Sequence, residues 1–257
     1  MSSHEFRRLR EEDLPRVVKR KVLHIALSLL LLLPMTPPVI NLVAQLGGDP
    51  KQFPLVTYSI LALGAALFNS LQIRIPQYRE KMISLSREVR RKVINYLRNV
   101  VPRMESFAKQ LEEINKAFDR IEENFNKFVS DIEREYERRY GYVAITFALL
   151  SIALSYALFS SYTMYGILAL AVVDSVSAMI TKILPKPRLY KHSLWSVVIT
   201  YGAFLAVLAA AGAGIWRAML IALVAVAAEN LGIEDNLTLP IATSAIAYVL
   251  RAPTPPI

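Results

Sequence analysis

Three carboxylates fall within seven residues near the C-terminus, in the run Glu229-Asn-Leu-Gly-Ile-Glu234-Asp235-Asn236-Leu-Thr-Leu-Pro240. Apolar stretches flank this run on both sides. Carboxylates at the end of a membrane span are expensive to desolvate and suit a metal or a cationic group better than lipid. A further acid, Asp174, stands inside an apolar run whose nearest base is Lys182, at i+8. It is expected to serve a site, to pair with Lys182, or to carry a proton. Basic groups recur in three places: Arg20 and Lys21, with His24 one turn on; Lys186 and Arg188; and Lys191. Carboxylates that hold a divalent ion, with lysine and arginine around a polyphosphate, are the arrangement for phosphoryl transfer. The candidate ligands for such an ion are Asp174, Glu229 and Asp235, and the candidate phosphate-neutralising groups are Arg20, Lys21 and Lys191, with Lys186 and Arg188 nearby. His24 or one of the carboxylates would take the proton of an acceptor hydroxyl. Plainer roles compete. Arg20 and Lys21 also fit membrane anchors, Lys186, Arg188 and Lys191 fit headgroup contacts, and His24 fits a bond between helices. Glu234 also fits a solvated charge, and Asp235 or Asn236 a cap for the last helix.

These groups must be positioned by mostly apolar elements. Of 257 residues, 54% are hydrophobic, and the charges, net +9, lie in blocks. Apolar stretches at 22–45, 53–73, 141–159, 162–184, 194–211, 215–233 and 237–250 predict an all-α, polytopic membrane helix bundle of about seven spans. Pro34, Pro37 and Pro38 predict a kink or a re-entrant break in the first. The first 21 residues are basic, but the apolar run after them is long and lacks a small-residue cleavage signature, so that span is read as retained. Lysine and arginine concentrate before Val22, between Arg74 and Tyr140, and between Lys182 and Lys191, which predicts a cytoplasmic N-terminus in an integral cell-membrane protein. With Cys absent, disulfides and thiolate sites are excluded.

The polar segment 74–140 contains no glycine and carries a heptad pattern. Val93, Val100, Phe107, Ile114, Ile121 and Phe128 alternate with Leu97, Met104, Leu111, Phe118, Phe125 and Ile132 at three-four spacing, a coiled-coil seam. Both ends return to one membrane face, so a cytoplasmic helical hairpin is expected, bent at Asn99-Val-Val-Pro102. The domains expected are therefore 1–73, the insertion 74–140, and 141–257. The seam between 93 and 132 fits a homodimer or an intramolecular hairpin equally well.

Arg20-Lys21-Val-Leu-His24, Asp174 with Ala178, and Glu229 leading to Asp235-Asn236-Leu-Thr-Leu-Pro240 together resemble the membrane polyprenol kinases, the dolichol kinase and phytol kinase group. The resemblance covers the membrane part, not the insertion. It implies CTP as phosphate donor, a lipid alcohol as acceptor, a divalent metal, a cytoplasmic nucleotide site, and Asn236 among its nucleotide-binding residues. The chain departs from the group at Val173, Thr181 and Pro185, where glycines are usual, and after Lys191, where His192-Ser193-Leu194-Trp195 replaces a pattern ending in glutamate and glycine.

Other readings are CTP-dependent diacylglycerol or phytol phosphorylation, cytidylyl transfer to a lipid phosphate, a scaffold that recruits partners through the coiled coil after loss of catalysis, and, last, a cation relay through Asp174 and Glu229. The basic residues fit membrane topology and anionic lipids better than nucleic acid. Many charges without cysteine would suit a thermophile, and prenol-lipid chemistry an archaeal membrane.

Overall fold

A computed structural model of the chain describes residues 3–75, 78–100, 105–132 and 141–254. Within these, the side chains of 3–13, 79–80, 97–100, 105–112, 125 and 128–132 lie outside the description. Among the described residues every regular element is helical: α1 (Ser3–Leu30), α2 (Pro37–Gln45), α3 (Phe53–Arg74), α4 (Tyr78–Val100), α5 (Glu105–Ile132), α6 (Val143–Phe159), α7 (Thr163–Ala169), α8 (Ser175–Ile183), α9 (Leu194–Ala210), α10 (Ile215–Leu231) and α11 (Asp235–Val249). Two compact units result, one of Met1–Ala66 with Val143–Ile257 and one of Leu67–Tyr142.

In the first unit the chain breaks after α1 where prolines remove backbone donors. A short 3-10 turn, Leu33–Met35, follows, and the helices on either side meet at a 43° bend. The Met35 amide bonds to Leu32 instead of to Leu31. The freed Leu31 carbonyl accepts a 2.6 Å bond from the hydroxyl of buried Tyr58, so the kink is held from α3.

Two runs are long and apolar enough to cross a membrane, Phe53–Arg74 and the 41-residue Val143–Ile183, and the bent pair Leu14–Met35 with Pro37–Gln45 makes a third if taken as one span. Helices α9 and α10, of 17 residues each, and α11, of 15, fall short of the about 20 residues that a straight crossing needs. By length and apolarity, two or three candidate spans therefore stand against the seven expected. The side chains of these runs point apolar groups outward: Leu63 is 61% exposed and Leu158 57%. Hydroxyls go inward, with Ser151, Ser155, Ser175, Ser196, Thr200 and Ser244 all buried. Lipid, unlike water, gives no reason to hide apolar side chains, and this distribution agrees with a membrane location.

The run Val143–Ile183 folds back on itself. Ser160, at φ 52°, sits in the left-handed region and starts a 3-10 turn, Ser160–Tyr162. On one side of the turn, Ser151 donates to the Asn236 carbonyl and Phe159 packs on Tyr248, so α6 runs parallel to α11. On the other side, Tyr162 packs on Tyr248 while Gly166 lies against Pro240, so α7 runs antiparallel to it. Gly166 is what allows the approach, since a Cβ there would stand 2.5 Å from the Pro240 carbonyl oxygen and 2.5 Å from Ser244 Oγ. Between α7 and α8 the helix widens into a π turn, Leu170–Asp174.

The second unit contains α4 and α5 as an antiparallel pair. Arg87 Nε bonds Glu122 at 2.8 Å, and Arg90 reaches Asp119 at 2.5 Å and Glu122 at 3.0 Å. Arg90 also covers the Phe118 ring at 5.4 Å. Residue numbers that add to a constant across these pairs, 87 with 122 and 90 with 119, are the signature of a hairpin. The bend expected at Asn99-Val-Val-Pro102 runs into residues 101–104, which lie outside the described residues, as do the side chains of Leu97, Val100, Met104, Phe107, Leu111, Phe125, Phe128 and Ile132 in the expected seam.

Candidate functional site

One end of the first unit gathers the polar groups. The π turn delivers Asp174 from the chain's fourth apolar stretch; α10 ends on Glu229; α11 starts at Asp235; the loop before α9 supplies Lys191 and His192; and α1 lays Lys21 and His24 against the π turn. A π turn inserts one residue into the helical ladder and leaves carbonyls without helical partners, which is why such turns recur at functional sites. The Leu170 carbonyl is bonded by His24 Nε2 at 3.2 Å.

Asp174 is 8% exposed, and both its oxygens are engaged. Oδ1 takes a 2.6 Å bond from buried Lys21 Nζ, and Oδ2 lies 3.0 Å from His24 Nε2. A carbonyl only accepts, so the Nε2 that bonds Leu170 carries the hydrogen, and in the neutral ring Nδ1 holds the lone pair. The Asp174 partner comes from α1, not from Lys182 on its own helix. Arg20, half-buried, precedes Lys21 in α1.

Glu229 is 2% exposed. Its Oε1 accepts from Ser177 Oγ at 3.2 Å and His192 Nε2 at 3.1 Å, with Lys191 Nζ at 3.8 Å. Its Oε2 is buried and has no hydrogen-bond partner. A buried carboxylate oxygen left bare costs more than the bond it lacks, so it asks for a donor or a cation. Asp235 is half-buried, and its Oδ2 is paired with Lys191. The two acids that flank Lys191 outweigh its partial desolvation and hold its ammonium above the ordinary lysine range. The capping role open to Asp235 and Asn236 is not what their side chains do: Asp235 Oδ1 accepts only the adjacent Asn236 amide at 3.2 Å, and the helix starts without a side-chain cap.

One oxygen from each of Asp174, Glu229 and Asp235 lies within 4.8 Å of the others. Opposite ligands of an octahedral ion stand twice the metal–oxygen distance apart, about 4.2 Å for Mg²⁺ and about 4.8 Å for Ca²⁺. All-oxygen, carboxylate-rich ligation is what hard divalent cations take. Three carboxylates against the ammonium groups of Lys21 and Lys191 leave one negative charge when both histidines are neutral. The bare Glu229 Oε2, the donor chemistry and this charge deficit all fit a divalent cation.

Two expected anion ligands are elsewhere. Lys186 and Arg188 are exposed on the loop, where Arg188 bridges to Ser193 through the backbone, and their side chains reach none of the three carboxylates. Asn236 touches the bundle through its backbone, its carbonyl accepting from Ser151. Four residues that sequence reasoning did not assign to the site belong to it: Ser177, Thr181, His192 and Asn230. His192 is the hub of these, with Thr181 Oγ1 3.0 Å from Nδ1, Glu229 on Nε2, and its amide donating to Asn230 Oδ1 at 3.2 Å. Ser177, one turn after Asp174, was reachable from the helical period; the His192 contacts had no sequence signal. No family model, curated protein or solved structure matches this chain.

Proposed function

We propose that this protein is a membrane lipid-alcohol kinase that transfers the γ-phosphate of CTP to a polyprenol of the dolichol type at the cytoplasmic face. The observation that carries the reading is the meeting of Asp174, Glu229 and Asp235 within 4.8 Å beside Lys21 and Lys191, at one end of an apolar bundle. The short helices α9 to α11 would complete the crossings together with the longer runs, making seven, with the N-terminus and the site on the cytoplasmic side.

A divalent ion on the three carboxylates would supply charge neutralisation to the nucleotide phosphates. Lys191, 34% exposed at the rim, is placed to exchange Asp235 for a phosphate oxygen. Lys21, deeper and paired with Asp174, holds that carboxylate in place. The lipid hydroxyl would approach from the bilayer beside α1, form its bond to the γ-phosphorus as the bond to the bridging oxygen of CDP breaks, and give its proton to His24 Nδ1 or to a carboxylate. Positioning and electrostatics dominate such transfers, so a strong base is not required.

The test uses the purified protein in lipid nanodiscs with Mg²⁺, a panel of lipid alcohols, and CTP labelled at either the α- or the γ-phosphate. Label from the γ-position in the lipid product, and its loss in Asp174→Asn with membrane insertion intact, are the expected results. Label from the α-position would instead indicate cytidylyl transfer. Full activity in Asp174→Asn removes the ligand role, and absence of both turnover and CTP·Mg²⁺ thermal stabilisation leaves the scaffold reading.

A further inference from the structure

The α4–α5 hairpin is closed along one edge and open along the other. Arg87 and Arg90 join Glu122 and Asp119 on the closed edge. Ser86 and Arg90 border a groove of about 510 Å³ on the open side, whose lining is otherwise apolar and includes Met82, Leu85, Val89 and Val93 of α4 and Ile114 and Phe118 of α5. Each of these apolar side chains is 46–53% exposed, and Ile121, on the same face of α5, is 62% exposed. Two amphipathic helices share only part of their apolar stripes, because each stripe subtends more than the line of contact between two cylinders. The remainder needs a cover.

Charge says which cover fits. Between residues 78 and 100 seven basic side chains stand against two acidic ones, a balance of +5, and between 105 and 132 four basic stand against seven acidic, a balance of −3. An anionic lipid surface would favour α4 but repel α5, which lies beside it. A second hairpin related by a two-fold axis lays the basic arm of each copy over the acidic arm of the other while their open stripes meet. The area also suffices. A face 23 residues long extends roughly 34 Å at 1.5 Å per residue and about 20 Å across two helices, near 700 Å² per copy, against about 800 Å² in a standard stable interface.

We infer that the groove between Val89 and Phe118 is a homodimer interface, in which two α4–α5 hairpins associate as an antiparallel four-helix bundle. The dimer extends the contact beyond the heptad seam, which begins at Val93, to Met82 and Leu85 earlier in α4, and it does not depend on the chemistry of the other unit.

The experiment is mass measurement of the full-length protein in nanodiscs and in detergent, with light scattering corrected for lipid. Wild type should be dimeric at micromolar concentration, and Val89→Glu with Ile121→Glu monomeric at unchanged helical circular dichroism. Because the chain has no cysteine, a second measurement needs no background substitution: Val89→Cys chains and Ile121→Cys chains with different tags are mixed and oxidised. Mixed disulfides should form between the tags. A monomeric wild type overturns the proposal, as do dimers that survive the double glutamate variant and tags that never crosslink. Monomers whose Val89→Cys spin label reports lipid contact on vesicles containing phosphatidylserine overturn it in favour of a membrane surface.

Discussion

Lys21→Met removes the ammonium from Asp174 while keeping most of the aliphatic stem. Asp174 Oδ1 then loses its 2.6 Å partner, and Oδ2 keeps only His24 at 3.0 Å. The pair's side chains are 7% and 11% exposed, so water has little access to replace the lost charge. Removing one member of a buried ion pair costs about 3–5 kcal/mol, since the stranded charge stays desolvated. At roughly 2–4 °C per kcal/mol for a unit of this size, the melting temperature should fall by roughly 6–20 °C. Asp174→Asn introduced on top removes the stranded charge and should restore most of the loss. A cycle of the two single variants and the double variant should therefore show coupling well above the about 0.5 kcal/mol expected for independent sites. The carboxylate cluster adds a second arm: the Lys21→Met site gains one net negative charge, so Mg²⁺ or Ca²⁺ should bind this variant more tightly than wild type and stabilise it more at the same concentration, the variant gaining about 2.7 kcal/mol at one hundred times its own Kd. The double variant should gain less. Unfolding followed by circular dichroism in nanodiscs, with and without the cation, measures all four states. Additive energies together with no response to cation in Lys21→Met would refute both the buried pair and the cation site.

Other perturbations reach the rest of the molecule. Gly166→Val forces a side chain to within 2.5 Å of the Pro240 carbonyl oxygen and should separate α7 from α11 at a cost of about 1–3 kcal/mol; an unchanged melting temperature would refute that contact. In the hairpin, the Arg87 hydrogen bond, with Arg90 beside it, holds the Glu122 carboxyl below the usual range. A depressed acid stabilises above its unfolded pKa and loses that contribution as pH falls through the folded one, so spin labels at Arg91 and Ala117 should keep their separation from pH 7 to 5 and spread only below about 4.3. Spreading between pH 7 and 5 would contradict the assignment, and Glu122→Gln should flatten the response. His192→Ala removes the ring from Thr181 and leaves Glu229 Oε1 with only Ser177 and Lys191, and should weaken Mn²⁺ binding, read by paramagnetic resonance, by about 10- to 100-fold, with partial recovery in His192→Gln. Undiminished affinity would remove His192 as a positioning residue.

Which parts were legible depended on whether the signal was local. Apolar length located the helices of the bundle to within a few residues, except that α1 begins at Ser3, well ahead of the apolar stretch that starts at Val22, because its first turns are polar and charged. Prolines announced the kink after α1 for the local reason that they lack an N–H. The heptads marked α4 and α5 as amphipathic, but the register between them is carried by Arg87, Arg90, Asp119 and Glu122, whose pairing depends on the turn. Asp174 stood out as an acid among apolar residues, while its partner Lys21 lies 153 positions away and no spacing rule reaches that far. The π turn was invisible for a similar reason: its sequence, Leu-Ala-Val-Val-Asp, is ordinary helix, and the widening lies where α1 and other distant helices pack. Lys186 and Arg188 were grouped with Lys191 by proximity in sequence, but the loop carries Lys191 to Asp235 and leaves the other two in solvent.

The positions where the chain departs from the polyprenol kinase pattern can be weighed on their contacts. Thr181 stands where glycine is usual, and His192 follows Lys191 where a small hydroxyl residue is usual. Here they bond at 3.0 Å, and the far nitrogen of the same ring holds buried Glu229 at 3.1 Å. Glycine at 181 would leave His192 Nδ1 without this partner, and a small hydroxyl at 192 could not span from α8 to α10. The two residues are therefore in contact, and His192 also reaches the carboxylate whose second oxygen is bare. A relic would be free to lose that buried charge, since replacing Glu229 by an apolar residue of similar volume would relieve its desolvation. Keeping an acid there, oriented by a histidine that is itself oriented by a threonine, has an energetic rationale if something cationic binds to it.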